Sequence, residues 1–425
     1  MLQDATLNGD PARRARELEE TMSMRATRRS TLLAAVAAFA LMSLPVMAAD
    51  PIKIGVAGPF TGGSSSMGVS MRDGVKLAID EINKAGGVLG RQLEAVERDD
   101  EARNEVGVQI AQELINKEHV IATVGFINTG VALAAQRFYQ EAEVPVFNNV
   151  ATGTIITQQF AKERANYVFR NAASDLIQAP MIVDEAITRR GFKKPAILAD
   201  STNYGQLGRE DLEKALSAKG VKAVATEKFN IGDTDMTAQL LRAKEAGADV
   251  ILTYGIGPEL AQIANGQAKL GWKVPLVGSW TLSMANFIDT SGANGNGAVM
   301  PQTFVQLGNT PKREAFIKAY QAAYKTDRMP SPVSAAQGYD SVYLLAAAIK
   351  QAGGTEGRKI KDALENLDAK VEGVVTTYDK PFSKTDHEAI TANIPVFGEV
   401  KDGRVQPAHA EDVQGDKALR IKPRA

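Results

Sequence analysis

The sequence predicts an α/β protein of two lobes, each built on a parallel sheet. Three observations lead there. After Asp50 the chain alternates between short apolar runs and stretches with apolar residues at helical spacing. Several of those runs are continuously apolar, as parallel strands covered on both faces must be. The strands are also too many for one sheet of ordinary size, which calls for two.

The elements follow in order. IKIGVAG (52–58) reads as a buried strand, and Met71, Val75, Ala78, Ile79 and Ile82 recur at helical spacing until Gly86-Gly87 stops the helix. Helix 104–118 leads to strand VIATVGF, helix 130–143 to VPVFNNV, and helix 175–190 to KPAILAD. Helix 205–219 leads to KAVATEKFN, helix 234–246 to DVILTYG, and helix 258–270 to VPLVGSW. The rhythm breaks at YVFRNAASD, around Arg170, and again near Met300-Pro301 after SGANGNGAVMP. Two helical patterns follow, 311–325 and 333–352, and the segment from Gly373 holds strand-like VVTTY and IPVFGEV. These breaks divide the chain into a first lobe of residues 51–171 and 301–376 and a second lobe of 172–300 and 377–415, with a tail at 416–425.

The N-terminus reads as an export signal. From Met24, the basic residues Arg25, Arg28 and Arg29 precede an apolar core, Leu32 to Leu44, and Val46-Met47-Ala48 fits a cleavage site. The apolar run is shorter than the ~20 residues of a membrane span. Residues 1–23 read as a mis-assigned start, and 24–48 as the signal peptide of an exported, periplasmic product. Without cysteine there is no disulfide, thiolate metal site, catalytic thiol or lipidated N-terminus. Three scattered histidines give no metal centre, and a net charge of −1 with two tryptophans gives no nucleic-acid surface. No cofactor is expected.

In parallel sheets ligands bind beyond the carboxyl ends of the strands. The loops there are GPFTGGSSSMG, with Phe60, Ser66 and Met67; Ile127-Asn128-Thr129-Gly130; Ala151-Thr152-Gly153-Thr154; STNYGQ, with Tyr204; IGPE, with Glu259; and the turn at Trp280. Hydroxyls and backbone N–H groups at helix N-termini bind an anionic group without lysine or arginine. Glu259 could receive an ammonium, and Tyr204 or Trp280 could cover apolar atoms. Each residue also has a plain structural role open to it: Thr129 and Thr152 as helix caps, Glu259 as a first-turn acid, Trp280 as packing. A phosphate loop is a poor match, because Ser64 stands where the lysine would be. No histidine or GxSxG elbow among these loops points to an enzyme.

The run IKIGVAGPFTGGSSSMG, then GVKLAIDEINKAGGVLGRQLE, then ERDDEARNEVGVQIAQELI resembles the exported solute-binding proteins of ABC importers. The likeness is to the leucine/isoleucine/valine-binding type of the type I periplasmic binding fold, over residues 51–400. It implies two Rossmann-like lobes joined by three hinge crossings, closing over a small amino acid or related carboxylate, with membrane permease subunits as partners and a monomeric state. It also implies that Asn128, Thr129, Ala151 and Thr152 bind the ligand carboxylate, with Tyr204 opposite and Glu259 on its amino group. INTG stands here in place of the family's serine-rich loop, and Trp280 would suit a flat ring. Receptors for amides, urea or aromatic carboxylates, a ligand sensor, and an α/β enzyme acting on a small acid are the other readings.

Overall fold

The computed structural model describes residues 50–413 and 420–423, together with Ala12, Ala15 and Arg16. The export-signal segment 24–48, and residues 1–23 and 414–425 apart from those just named, lie outside the described residues. The strands are β1 (Ile52–Gly58), β2 (Leu93–Asp99), β3 (Ala122–Gly125), β4 (Val146–Asn148), β5 (Val168–Arg170), β6 (Pro195–Asp200), β7 (Ala225–Phe229), β8 (Val250–Tyr254), β9 (Leu276–Gly278) and β10 (Val299–Gln302). Short pieces close the chain: β11 (Val371–Glu372), β12 (Thr377–Tyr378), β13 (Val396–Lys401) and β14 (Arg404–Pro407). The helices are α1 (Ser65–Lys84), α2 (Asn104–Asn116), α3 (Thr129–Glu141), α4 (Asp175–Val183), α5 (Asn203–Ala218), α6 (Thr237–Glu245), α7 (Glu259–Lys269), α8 (Ala285–Ser291), α9 (Pro311–Tyr324), α10 (Pro332–Ala352) and α11 (Gly357–Glu365).

Two sheets carry the fold. The first has the order β2-β1-β3-β4-β5, with every pair parallel. The second repeats that order as β7-β6-β8-β9-β10, and its far edge is extended by the antiparallel strands β13 and β14. In the first sheet Ile52, Ile54 and Val56 of β1 face the core shared with α1 and α10. Ala57 turns to the opposite core, under α2 and α3. The alternation follows from the two-residue period of a strand buried on both sides.

β2 is missing from the sequence-derived list because its residues, LEAVERD, alternate with charge. It is an edge strand whose Glu97 pairs with Lys76 and whose Arg98 pairs with Glu113 and Glu118. Such a strand lacks the apolar run that marks its neighbours.

The chain crosses between lobes three times, at 171–174, 303–310 and 391–395. Two boundaries therefore differ from the sequence reading. β10, through Gln302, belongs to the second sheet, so that crossing begins after residue 302 rather than at 301. The segment from 377 to 390 belongs to the first lobe. Arg170 and Glu388 form a parallel bridge, and Phe382 packs edge-on against Phe147 and Phe169. The physical reason is Arg170 itself. It is fully buried, its Nε donates to Glu388 Oε2 at 2.8 Å, and a buried guanidinium without its carboxylate would be costly.

What returns the last third of the chain to the first lobe is close packing of α10 on α1. Gly74 and Gly338 let the two backbones meet: a Cβ at Gly74 would run into the Ala335 carbonyl. Tyr320 and Tyr324 of α9 add hydrogen bonds to Asp73 of α1. No helix among the described residues is long and apolar enough to cross a membrane. Gly74→Ala gains about 1 kcal/mol of helix propensity but overpacks a rigid backbone contact at about 1–3 kcal/mol. Because the Cβ would meet a backbone carbonyl rather than a flexible side chain, the cost falls at the upper end of that range, and a net loss of up to about 2 kcal/mol is expected, read as a lower urea midpoint with unchanged slope. An unchanged midpoint would remove the close-packing account.

Candidate ligand-binding cleft

In each sheet the strand order reverses between the first and third strands of the lobe, β1/β3 and β6/β8. Loops leaving those strands diverge and open a crevice at their carboxyl ends. Carboxylates hold the loops in place. Asp99, at the end of β2, accepts Phe60 N–H at 2.9 Å and the Thr61 hydroxyl at 2.7 Å. Asp200, at the end of β6, accepts Thr202 N–H at 2.9 Å and Ile256 N–H at 3.0 Å, tying the loops after β6 and β8 together.

The first-lobe wall centres on the start of α3. Asn128 occupies the cap position but makes no side-chain cap bond; its Nδ2 donates to Ser64 Oγ at 3.3 Å. Thr129 is the first helical residue, and its hydroxyl accepts Gly153 N–H at 3.3 Å. Arg170 Nη1 donates to the Gly153 carbonyl at 2.7 Å, and Asp175 N–H donates to the Thr152 carbonyl at 2.8 Å. The 151–153 loop is thus fixed through its backbone, and the buried Thr152 hydroxyl makes no well-formed hydrogen bond, with the Asp175 carboxylate as its nearest polar neighbour.

The second-lobe wall is aromatic. Thr202 caps α5 by accepting Gly205 N–H at 3.3 Å. Tyr204 in that first turn lies against Tyr254, ring centroids 5.3 Å apart. Trp280 is held through its main chain: its N–H donates to Gln178 Oε1 at 3.2 Å and its carbonyl accepts from Ser283 Oγ at 2.7 Å. Glu259 opens α7, and its Oε1 accepts Gly232 N–H at 2.7 Å. Its Oε2 faces the Gly257 turn, where a Cβ would lie 2.6 Å from that oxygen and 3.5 Å from the Gly63 carbonyl of the opposite lobe.

The lobes touch across the mouth of the crevice. Asn286 Nδ2 donates to the Gly63 carbonyl at 2.8 Å, and the Thr154 hydroxyl donates to Asp211 Oδ2 at 2.6 Å. At the hinge end a small cavity of about 10 Å³, the room of a single water molecule, is lined by Thr152, Ala173, Gln178, Trp280, Pro301, Gln302, Thr303, Val333, Gln337 and Pro395. Four of the side chains assigned from sequence have buried polar atoms that make no well-formed hydrogen bond: Asn128 Oδ1, Thr152 Oγ1, Tyr204 Oη and Trp280 Nε1; Gln337 Oε1 beside the cavity is a fifth. Because buried polar groups almost always pair, such atoms mark where something else binds. No group of acids and histidines among the described residues could hold a metal ion.

The other sequence-assigned residues are dispersed. Phe60 is half-buried with Arg72 over its ring at 5.1 Å, and Ser66 is half-buried in the first turn of α1. Met67 and Ala151 pack into the two cores of the first lobe, where they support the loops rather than presenting polar atoms. Of the ten, Thr152 and Trp280 line the hinge-end cavity, and Glu259 stands at the mouth. Gln178 and Gln337 had not been singled out from sequence, since both lie inside helices. The signal was present: each is a lone amide in an otherwise small or apolar stretch, DLIQAP and SAAQGY.

Burial pushes the Asp175 carboxyl up to about 7, against the pull of the nearby Thr152 hydroxyl, of Arg170 and of the Tyr254 hydroxyl, which donates to it at 3.0 Å. The folded chain therefore keeps this proton to higher pH than the unfolded chain does, whose aspartates titrate near 3.9. The stability it confers is complete below about pH 4 and is lost as pH rises through 7. Asp175→Asn is expected to flatten the fall in unfolding free energy between pH 5 and 7 by about 1–2 kcal/mol, measured by urea titration at each pH. An unchanged slope would place the proton elsewhere.

Two doubly wound lobes joined by three crossings, with Thr152 of one lobe and Trp280 of the other lining one cavity between them, define a solute-binding receptor fold. The chain belongs to the periplasmic binding protein family, whose model matches residues 51–404. It is 31% identical over 332 residues, 78% of this chain and 85% of the relative, to the leucine-, isoleucine-, valine-, threonine- and alanine-binding protein of Pseudomonas aeruginosa. A type 1 periplasmic binding protein of Bordetella pertussis superposes with a TM-score of 0.76 at 30% identity, covering 84% of this chain and 100% of that one. The substrate-binding protein of a branched-chain amino acid transporter from Streptococcus pneumoniae, solved with isoleucine, superposes at 0.74 with 28% identity, over 84% of this chain and 98% of that one.

Proposed function

We propose that the protein is the periplasmic solute receptor of an ABC importer, capturing a small amino acid by hinge closure and delivering it to membrane permease subunits. The observation that carries this reading is the set of unpartnered buried atoms supplied by both lobes, Asn128 and Thr152 from one and Tyr204 and Trp280 from the other. A single guest between the lobes would satisfy all of them, and two of the three relatives named above, those of Pseudomonas aeruginosa and Streptococcus pneumoniae, carry amino-acid names.

The ligand carboxylate is assigned to the start of α3. The first N–H groups of that helix have no intrahelical partner, and they sit at the positive end of its dipole. The Thr152 hydroxyl supplies a further donor, so a buried anion is neutralised without a cation. The ammonium is assigned to Glu259 at the mouth, and the side chain then points towards Trp280 and the hinge. Because the contacts come from both lobes, they exist together only when the lobes are shut, and the ligand shifts the population towards that state.

A thermal-shift screen of amino acids should reveal a ligand that at a hundredfold excess over Kd adds about 2.7 kcal/mol of stability. Thr152→Val is expected to weaken that ligand about 10–100-fold, the worth of a hydrogen bond to a charged group, with an unchanged urea midpoint in the free protein. Undiminished affinity in this variant would remove the carboxylate assignment, and chemical conversion of the bound ligand on long incubation would remove the receptor reading.

A further inference from the structure

We infer, resting on the amino-acid reading above, that the hinge end of the cleft selects a side chain ending in an uncharged hydrogen-bonding group, a hydroxyl or a carboxamide, over an aliphatic one. Beyond the Thr152 hydroxyl already assigned to the carboxylate, the cavity at that end is lined by two residues with buried polar atoms that have no hydrogen-bond partner: Trp280 Nε1 and Gln337 Oε1. Their residues are 5% and 2% exposed, so bulk water does not serve them.

These atoms are held in position by other bonds. The Trp280 main chain is gripped on both sides, by Gln178 Oε1 at its N–H and by Gln302 Nε2 at its carbonyl, 3.3 Å away. Gln337 is anchored by its Nε2, which donates to the Thr303 hydroxyl at 3.0 Å and leaves the oxygen to the cavity. Gln178 and Gln302 spend their amides on backbone, Gln178 Nε2 on the Ala173 carbonyl at 2.9 Å and Gln302 Nε2 on Pro301 at 2.8 Å. The cavity is thus lined by one residue with a free indole donor and one with a free amide acceptor, each held in place by its other bonds.

Three kinds of side-chain end can be compared there. No lining side chain carries a charge, so an ionised end would lose its hydration without a counter-ion. An aliphatic end would seal the indole N–H and the amide oxygen from any partner, and leaving buried groups unpaired is the larger penalty in hydrogen-bond energetics. A hydroxyl or a carboxamide both donates and accepts, and so completes the pair. Turning over the Gln337 amide would present a donor instead, which the same ligand groups also satisfy. Sites of this construction discriminate strongly against the analogue that lacks the polar group.

The test is titration calorimetry on the mature chain with three pairs matched in shape: threonine and valine, asparagine and leucine, tyrosine and phenylalanine. The best-bound pair should show the polar member tighter by at least about tenfold. Trp280→Phe, which keeps the aromatic packing and removes the N–H, and Gln337→Leu should each shrink that ratio to about threefold or less by weakening the polar member alone. An aliphatic or phenyl member bound as tightly as its polar partner in every pair would mean that a fixed water serves these atoms, and would overturn the inference while leaving the receptor reading in place. Failure of all six to bind would overturn the amino-acid reading, and this inference with it.

Discussion

A buried donor or acceptor has to be paired, and this requirement shapes both the hinge and the cleft. At the hinge it is met within the protein. Arg170, wholly enclosed, spends its guanidinium on Glu388 and on the Gly153 carbonyl, and so draws together segments more than 200 residues apart. In the cleft it is met only loosely: the Trp280 indole N–H has no partner, and the Thr152 and Tyr204 hydroxyls make no well-formed hydrogen bond although Asp175 lies beside the first and Ser279 and Thr281 beside the second. The contrast separates framework from site more sharply than burial does, since both sets of residues are equally enclosed.

The two lobes solve the same problem with different side chains. Each has an aspartate as the last residue of a strand, Asp99 in one and Asp200 in the other, whose oxygens collect N–H groups from neighbouring loops. The stapled loops then diverge in chemistry. The first lobe offers small hydroxyl and amide residues with a helix start, which suits a carboxylate. The second offers Tyr204 and Trp280, which suit the body of a side chain. Repetition of the strand order β2-β1-β3-β4-β5 as β7-β6-β8-β9-β10 is what sets the two surfaces face to face.

Most of this architecture was legible from residues 52–280, where apolar strands and periodic helices alternate regularly. The same rule, ligands beyond strand ends, led to Thr152, Tyr204 and Trp280 as candidates. Two kinds of feature escaped. Edge strand β2 is written in charged residues that pair with α1, α2 and Glu118, so its local pattern resembles a surface loop. The third crossing is set by contacts such as Arg170 with Glu388 and Phe382 with Phe169, and no local window contains both partners. Gln178 and Gln337 were passed over for a related reason: a helix interior gives no sign that one of its side chains faces a cleft.

The seating of α10 against Gly74 has a consequence for how the polypeptide matures. The first five strands leave the ribosome long before the helix that must cover one face of their sheet. Until residue 352 has emerged, Val56, Met71 and Val75 have no roof, whereas β6 to β10 of the second lobe and the helices between them form an uninterrupted stretch. The nascent protein should therefore consolidate from its middle outwards, with its beginning the last part to settle.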